Sequence, residues 1–421
     1  MKIYESSLPI DHRKDEIGKV LDFVTTGKFC QLVCLPGAGK ATVLRLLAHN
    51  RPLLKSHLGE KEGSARFAYI NMLGLSDYSE AGIAKLLIVA LDKTPHKTGD
   101  PLMLKKQLTE AVNQLSLKNI NTVLLFDHFD EYQNRLSRSF FQTLKDLKSS
   151  AKYKFSVVFA TRRDLKDLID PEILKDYYDF FIDNTIYLKV QDKSALESLF
   201  TQIETVFNKK LVKDVREKII SLTGGHVKLT KVLAEIYLRG NDQFESETLL
   251  LNPIVQAALF EIWLAQTAHE QQALIDITQS SKDVDASVLD SFKKFNLLDG
   301  DNKITVPLFA QFIKKRGPEL SHQKITFNPD TKEITKGTTI ISDLLSPQEY
   351  RLLRFLIGNR GRIVERDEII KAVWPEAKSA EGISDEAIDQ MIFRLRKKIE
   401  DEPNNPGHIL TVKGLGIRFE P

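Results

Sequence analysis

Cysteine is nearly absent from this 421-residue chain, which holds only Cys30 and Cys34. A Cys-x-x-x-Cys pair with no further cysteine cannot make a structural zinc site alone. Its segment, FCQLVCL (29–35), reads as a buried strand in which cysteine behaves as a small hydrophobe. Long apolar runs are absent too. No stretch approaches the roughly 20 residues that a membrane helix needs. The opening MKIYESSLPIDHRKDE lacks the apolar core of a secretory signal, so a cytoplasmic protein with no membrane partner is expected. Charge imbalance is small: a net +3 argues neither for nor against a nucleic-acid partner. What is there fits an ordinary globular chain, with 42% hydrophobic and 28% charged residues and a length that allows several domains.

The first ~190 residues alternate between helical patterns and short apolar runs. FCQLVCL (29–35), FAYINML (67–73), TVLLFD (122–127) and FSVVFAT (155–161) read as strands. Continuous apolar strands alternating with helices predict an α/β domain, residues 1–189, whose parallel sheet is covered on both faces. Ligands of such domains bind at the carboxyl ends of the strands. Residues 190–248 carry i, i+3/i+4 apolar spacing and read as a helical lid. Residues 249–320 read as helices followed by a hairpin in NLLDGDNKITV, a small internal winged helix. KKRGPELSHQ reads as a linker, and 321–421 as strands, three helices and a terminal hairpin. The expected fold is therefore multidomain: a parallel-sheet α/β domain, a helical lid and two winged helices.

The stretch VCLPGAGKATVLRLL (33–47) nearly spells the phosphate-binding pattern G-x-x-x-x-G-K-[S/T]. Small residues let backbone N–H groups approach phosphate oxygens, a lysine reaches the outer phosphates, and a hydroxyl holds Mg²⁺. Here Cys34 replaces the first glycine and Ala41 the metal-binding hydroxyl, while Gly39 and Lys40 remain. Thr42 follows, better placed for an inner phosphate. TVLLFD ends in Asp127, 87 residues beyond Lys40, where a carboxylate can bind the Mg²⁺ shell. His128 stands where many such ATPases place the carboxylate that activates water. Asp130 and Glu131 follow, the two acids that could substitute for that carboxylate geometrically.

With these residues in place the chain resembles the STAND branch of the AAA+-related P-loop ATPases over residues 8–320. IDHRKDEI (10–17) is similar to that family's F-x-G-R-x-x-E-L motif near the adenine, with Arg13 and Glu16 matching and His12 in place of glycine. FATRR (159–163) resembles its strand-end Thr-Thr-Arg, which makes Arg162 the matching phosphate-sensing arginine. LTGGHVKL (222–229) resembles the lid's Gly-x-Pro helix start, with Val227 at the proline position. The resemblance implies ATP or ADP, with Mg²⁺ where present, held by Arg13, Pro36, Gly37, Ala38, Gly39, Lys40, Ala41, Thr42 and Val227. It implies a catalytic set of Asp127, His128 and Arg162, with Asp127 also serving the metal. Losing both the metal hydroxyl and the usual catalytic carboxylate should slow hydrolysis most, because phosphoryl transfer rests on positioning and metal charge.

The C-terminal segment resembles the OmpR/PhoB-type winged helix along 344–421, and KITFNPDTKEITKGTTIISD before it resembles that family's N-terminal sheet. SPQEYRLL, RDEII-x-x-VW, ID-x-x-I-x-RLRKKI and TVKG-x-G-x-RF carry the match. On the third helix Ile388, Ile392, Leu395 and Ile399 fall on one stripe and should face the core. Glu386, Gln390, Phe393, Arg394 and Lys397 lie opposite, and Arg396 and Lys398 flank the stripe. The expected DNA contacts are Gln390, Phe393, Arg394, Arg396, Lys397, Lys413 and Arg418. Arg394 is expected in the major groove, Arg396, Lys397 and Lys413 on the backbone, and Arg418 in the minor groove. Residues 322–421 hold 16 Lys and Arg against 16 Asp and Glu, so affinity has to come from a local patch or from several copies.

The leading expectation is a transcription regulator whose nucleotide module switches a DNA-reading winged helix, with copies assembling on direct-repeat double-stranded DNA. One alternative is an active ATPase that remodels or loads factors on DNA. Another is a scaffold with a vestigial nucleotide site and a protein-binding winged helix.

Overall fold

The computed structural model describes residues 8–420, apart from 97–98, 131, 133–136, 181–182, 242–243, 281–283, 322–324, 337–338, 376–383, 401–402, 404–405 and 413. The chain forms two compact units. One comprises Met1–Ala265 and Asp285–Ala310, the other Gln266–Val284 and Gln311–Pro421. The segment 249–320 contributes to both.

The first unit is built on a sheet of five parallel strands, β1 (Cys30–Cys34), β2 (Ala65–Asn71), β3 (Asn121–Asp127), β4 (Phe155–Thr161) and β5 (Thr185–Leu188), in the order β2-β3-β4-β1-β5. Every residue of β1, β3 and β4 is buried, which is why these strands read as largely apolar runs. β5 lay outside the expected strands. It is a four-residue edge strand whose alternating burial leaves a weak pattern. Helices α1 (Lys14–Thr25) and α2 (Lys40–His49) cover one face through Ile17, Val20, Val43, Leu44 and Leu47. Helices Glu80–Ala90, Pro101–Leu117 and Arg138–Ser150 cover the other, around Leu87, Leu108, Phe126, Phe140 and Leu144. The lid region is helical as expected, with Lys193–Phe207, Lys213–Thr223 and Val227–Leu238. The hairpin expected in NLLDGDNKITV is closed by an antiparallel bridge between Leu298 and Ile304.

The second unit holds an antiparallel sheet of β6 (Ile325–Phe327), β7 (Ile334–Lys336) and β8 (Thr339–Ile340). Helices Pro347–Gly358, Arg366–Val373 and Asp385–Ile399 follow, with β9 (Ile363–Val364) between the first two. β10 (Ile409–Val412) and β11 (Gly416–Phe419) close the terminal hairpin, and β11 also pairs with β9. One core joins Ile334, Leu352, Leu356, Val364, Ile369, Ile388, Leu395, Ile409 and Phe419. Gly416 has no substitute: its φ is +137°, and a Cβ there would strike the Val364 carbonyl across the sheet. The segment KKRGPELSHQ departs from expectation, because helix Pro307–Ser321 runs through most of it. Phe312 and Ile313 are buried and anchor the middle of that helix.

Candidate functional sites

β1 ends at Cys34, and the loop to α2 runs at the carboxyl edge of the sheet, beside the ends of β3 and β4. Both cysteines are buried free thiols, and burial pushes the Cys34 thiol up to about 11, so neither acts as a nucleophile here. Gly37 and Gly39 take positive φ, 76° and 100°, and Gly39 caps α2, leaving Lys40 as its first residue. A Cβ on Gly39 would meet nothing within 4 Å, so the loop faces open space there. That is the space a phosphate needs against a helix N-terminus.

Lys40 Nζ lies 3.9 Å from Asp127 Oδ1, 3.5 Å from Asp130 Oδ1 and 3.4 Å from the Ala160 carbonyl. Asp127 is fully buried and accepts from the Tyr69 hydroxyl at 2.7 Å. Burial, and then that hydrogen bond to a carboxylate, push Tyr69 up to about 12, so it stays a donor. Arg162 pairs with the far oxygen of Asp130 through its Nε. Burial alone would raise the Asp130 carboxyl, but Lys40 and Arg162 outweigh it and hold the group below its ordinary range. His128 takes a left-handed φ of 57°, with its Nε2 3.9 Å from Asp127. Three of the expected residues, Lys40, Asp127 and Arg162, thus share one charge network. Asp130, one of the two acids that could substitute for the missing carboxylate, is its centre, while Tyr69 was not among the expected contacts. Glu131 lies outside the described residues.

Arg13 is also at the loop. It is only 1% exposed, and its guanidinium donates to the Ala38 carbonyl at 2.8 Å and the Lys189 carbonyl at 2.7 Å. It therefore fixes the loop from behind, against the strand-end segment after β5. Among the metal-binding oxygens expected, Asp127 is present while Ala41 offers none.

The start of helix Val227–Leu238 holds the loop from the other side. His226 caps this helix, its Nδ1 accepting from Leu229 N–H at 3.3 Å, while its Nε2–H donates to the Pro36 carbonyl at 2.9 Å. Lys228 N–H donates to the Gly37 carbonyl at 3.1 Å. Val227 is the first helical position, where proline's missing N–H would be harmless. Gly37 is required at this seam: a Cβ would sit 2.6 Å from His226 Cε1 and 2.7 Å from Lys228 Cβ, at a φ that side chains avoid. Gly37→Ala is expected to lower stability by about 1–3 kcal/mol in urea denaturation.

The double role of His226 needs a neutral imidazole, and burial lowers its pKa from 6.5 to about 4. The unfolded chain then binds a proton below pH 6.5 that the folded chain refuses until about pH 4. The contribution is complete above the unfolded pKa and is lost as the pH falls between the two values. His226→Gln keeps a donor toward Pro36 without titrating. The parent is expected to lose about 2 kcal/mol more than this variant between roughly pH 7.5 and pH 5. Urea melts at the two pH values decide it; parallel losses would show that His226 does not carry the effect.

In the second unit, Ile388, Ile392, Leu395 and Ile399 are buried as expected, joined by Met391. Gln390, Phe393, Arg394 and Lys397 are exposed on the opposite face, as is Glu386. Lys397 Nζ lies over the Phe393 ring, 4.7 Å from its centroid. Arg396 is turned inward onto the hairpin: its guanidinium donates to the Ile409 carbonyl at 2.6 and 3.0 Å and to Thr411 Oγ1 at 2.9 Å. Lys398 reaches Glu349 Oε2 at 2.6 Å and the Leu344 carbonyl at 2.9 Å. Arg418, on β11, faces Glu420 at 3.0 Å. Lys413 lies outside the described residues. Glu400, which no expectation included, accepts from Gly407, His408 and Ile409 N–H groups and so shapes the approach to β10.

Two family models match. "AAA domain" covers residues 24–169, and "Transcriptional regulatory protein, C terminal" covers 343–419. Over 76 residues the chain is 41% identical to the transcriptional regulatory protein KdpE of Mycobacterium tuberculosis, which is 18% of this chain and 32% of that protein. The chain thus spans about a third of that relative's length. Among solved structures it is similar to Cdc6p from Pyrobaculum aerophilum, with a TM-score of 0.42 and 14% identity over 80% of this chain and 93% of that one. It is also similar to the Klebsiella pneumoniae RstA DNA-binding domain solved with the RstA box, with a TM-score of 0.20 and 29% identity over 23% and 89%. The chain joins an AAA domain to an OmpR/PhoB-type transcriptional-regulator winged helix.

Proposed function

We propose that this protein is a DNA-binding transcriptional regulator in which ATP or ADP at the phosphate loop sets the activity of the C-terminal winged helix. The observation that carries the reading is the seam between loop and lid. Pro36 and Gly37, in the loop that would cradle a phosphate, have their carbonyls bound by His226 and Lys228 at the lid-helix start. A phosphate entering that loop has to act on the lid through these bonds. Nucleotide can shift such an equilibrium only by its differential affinity for the two states.

Within this reading Lys40 and the loop amides hold the phosphates, Arg162 senses the terminal one, and Asp127 would carry the shell of any Mg²⁺. With Ala41 and His128 at the two positions that usually supply metal hydroxyl and base, turnover is slow and the site works as a holder. Asp130 is the one observation favouring hydrolysis, since its carboxylate reaches the same network. On DNA, Arg394 reads bases, while Lys397, Arg418 and Lys413 meet the backbone and minor groove. Arg396 acts by holding the wing. Several copies on direct repeats supply the affinity that a charge-neutral domain lacks.

The test is binding of the full chain to fragments of its host genome with ATP, with ADP and with neither, at two salt concentrations. One preferred fragment whose affinity differs at least about three-fold between nucleotide states, near 0.6 kcal/mol, is expected. No preferred fragment under any condition sinks the regulator reading. A preferred fragment indifferent to nucleotide sinks the switch.

A further inference from the structure

The sheet face opposite α1 and α2 holds a cavity of about 420 Å³ between helices Glu80–Ala90, Pro101–Leu117 and Arg138–Ser150. Ile83, Ala84, Leu87, Leu108, Phe140 and Leu144 wall it. Close-packed interiors leave few voids larger than a water. This one falls within the roughly 300–1,000 Å³ of small-molecule sites. At its rim the Glu80 and Asp100 carboxylates are exposed to solvent, Asp100 also accepting from Leu102 N–H, and the other polar groups are engaged. Lys105 Nζ lies 2.8 Å from Asp146. The Ser137 and Ser139 hydroxyls are 2.8 Å apart, and Thr143 Oγ1 donates to the Ser139 carbonyl at 2.9 Å. The lining therefore offers apolar surface, and its cation already has a carboxylate partner.

We propose that this cavity is a binding site for an uncharged, largely apolar small molecule. Its back wall leads to the phosphate loop. The Phe140 ring packs 5.9 Å from Phe126 and 5.8 Å from Phe129, centroid to centroid. Those two residues immediately precede Asp127 and Asp130, the carboxylates around Lys40. An occupant that moves Phe140 acts on that network through one further ring. The site stands on the cavity alone; only its use as an input rests on the switch reading.

The experiment titrates the full chain with N-phenyl-1-naphthylamine, an uncharged fluorescent probe. Ala84→Phe places a ring inside the cavity, and Thr143→Phe places one at its half-buried rim. One saturable site of micromolar affinity is expected, weakened at least about ten-fold in either folded variant, the equivalent of about 1.4 kcal/mol. Absence of saturation, or unchanged affinity in a folded variant, overturns the proposal. Should both variants fail to fold, hydrogen exchange of the parent decides. The probe slows exchange in 80–90 and 138–150 if the cavity is its site, and leaves both unchanged if it is not. A chain that binds the probe here but no nucleotide keeps the site and loses the switch.

Discussion

Lys40→Ala is expected to weaken ADP and ATP binding by about 10- to 100-fold, the range of a charge-assisted contact worth roughly 1.5–3 kcal/mol. Asp130→Asn is expected to act in the opposite direction, tightening binding about three- to ten-fold. The reason lies in what the two cations do in this structure. Lys40 stands 3.5 Å from Asp130 and 3.9 Å from Asp127, and Arg162 pairs with Asp130. An incoming phosphate competes with the Asp130 carboxylate for both. Removing that negative charge leaves Lys40 and Arg162 to the nucleotide, while Asp127, bound by Tyr69, keeps its place. Titration with a fluorescent ADP analogue at about 0.1 M salt measures both variants. Thermal melts separate lost contact from lost fold, since Lys40→Ala removes a cation from beside two buried carboxylates. Unchanged affinity in folded Lys40→Ala would remove the loop from nucleotide binding altogether. Weaker binding in Asp130→Asn would mean that the carboxylate helps hold the ligand and does not oppose it.

Much of this arrangement was legible in the chain. β1, β3 and β4 were readable because burial on both faces keeps their centres apolar, with Gln31, Thr122 and Ser156 among the polar residues buried near their starts. β5 was not, because a four-residue edge strand with alternate burial carries too little signal. Lys40, Asp127 and Arg162 could be placed by strand ends. The partner choices could not: Asp130 turns back to Lys40, and His226 reaches Pro36 across 190 positions. Local pattern holds no information about such pairings. A signal existed for His226, since two glycines before a helix start mark a tight turn whose next residue caps it. Arg13 and Arg396 show the limit from the other side. Both stand at positions the family resemblances link to a ligand, and both have carbonyls of their own chain as partners.

That distinction carries the second large effect, on DNA. Arg394→Ala is expected to weaken binding to the preferred fragment by about 1–3 kcal/mol and to relax its preference at one base pair. Arg394 is exposed on the face opposite Ile388, Ile392 and Leu395, at the third turn of its helix, where a guanidinium can reach guanine bidentately. Lys397→Ala should behave differently. A phosphate contact adds affinity for every sequence, so its loss lowers binding evenly and reduces the slope of log affinity against log salt by about one. Arg396→Ala gives a third signature. Its bonds to Ile409 and Thr411 hold the hairpin, so the variant melts earlier and weakens all DNA equally while leaving the salt slope close to the parent's. Filter or fluorescence titrations of the preferred and a scrambled fragment, at three salt concentrations, separate the three. If Arg394→Ala binds the preferred fragment as tightly as the parent, this helix face is not the reader. Phe393, with Lys397 over its ring, would then be the better candidate for contact with another protein.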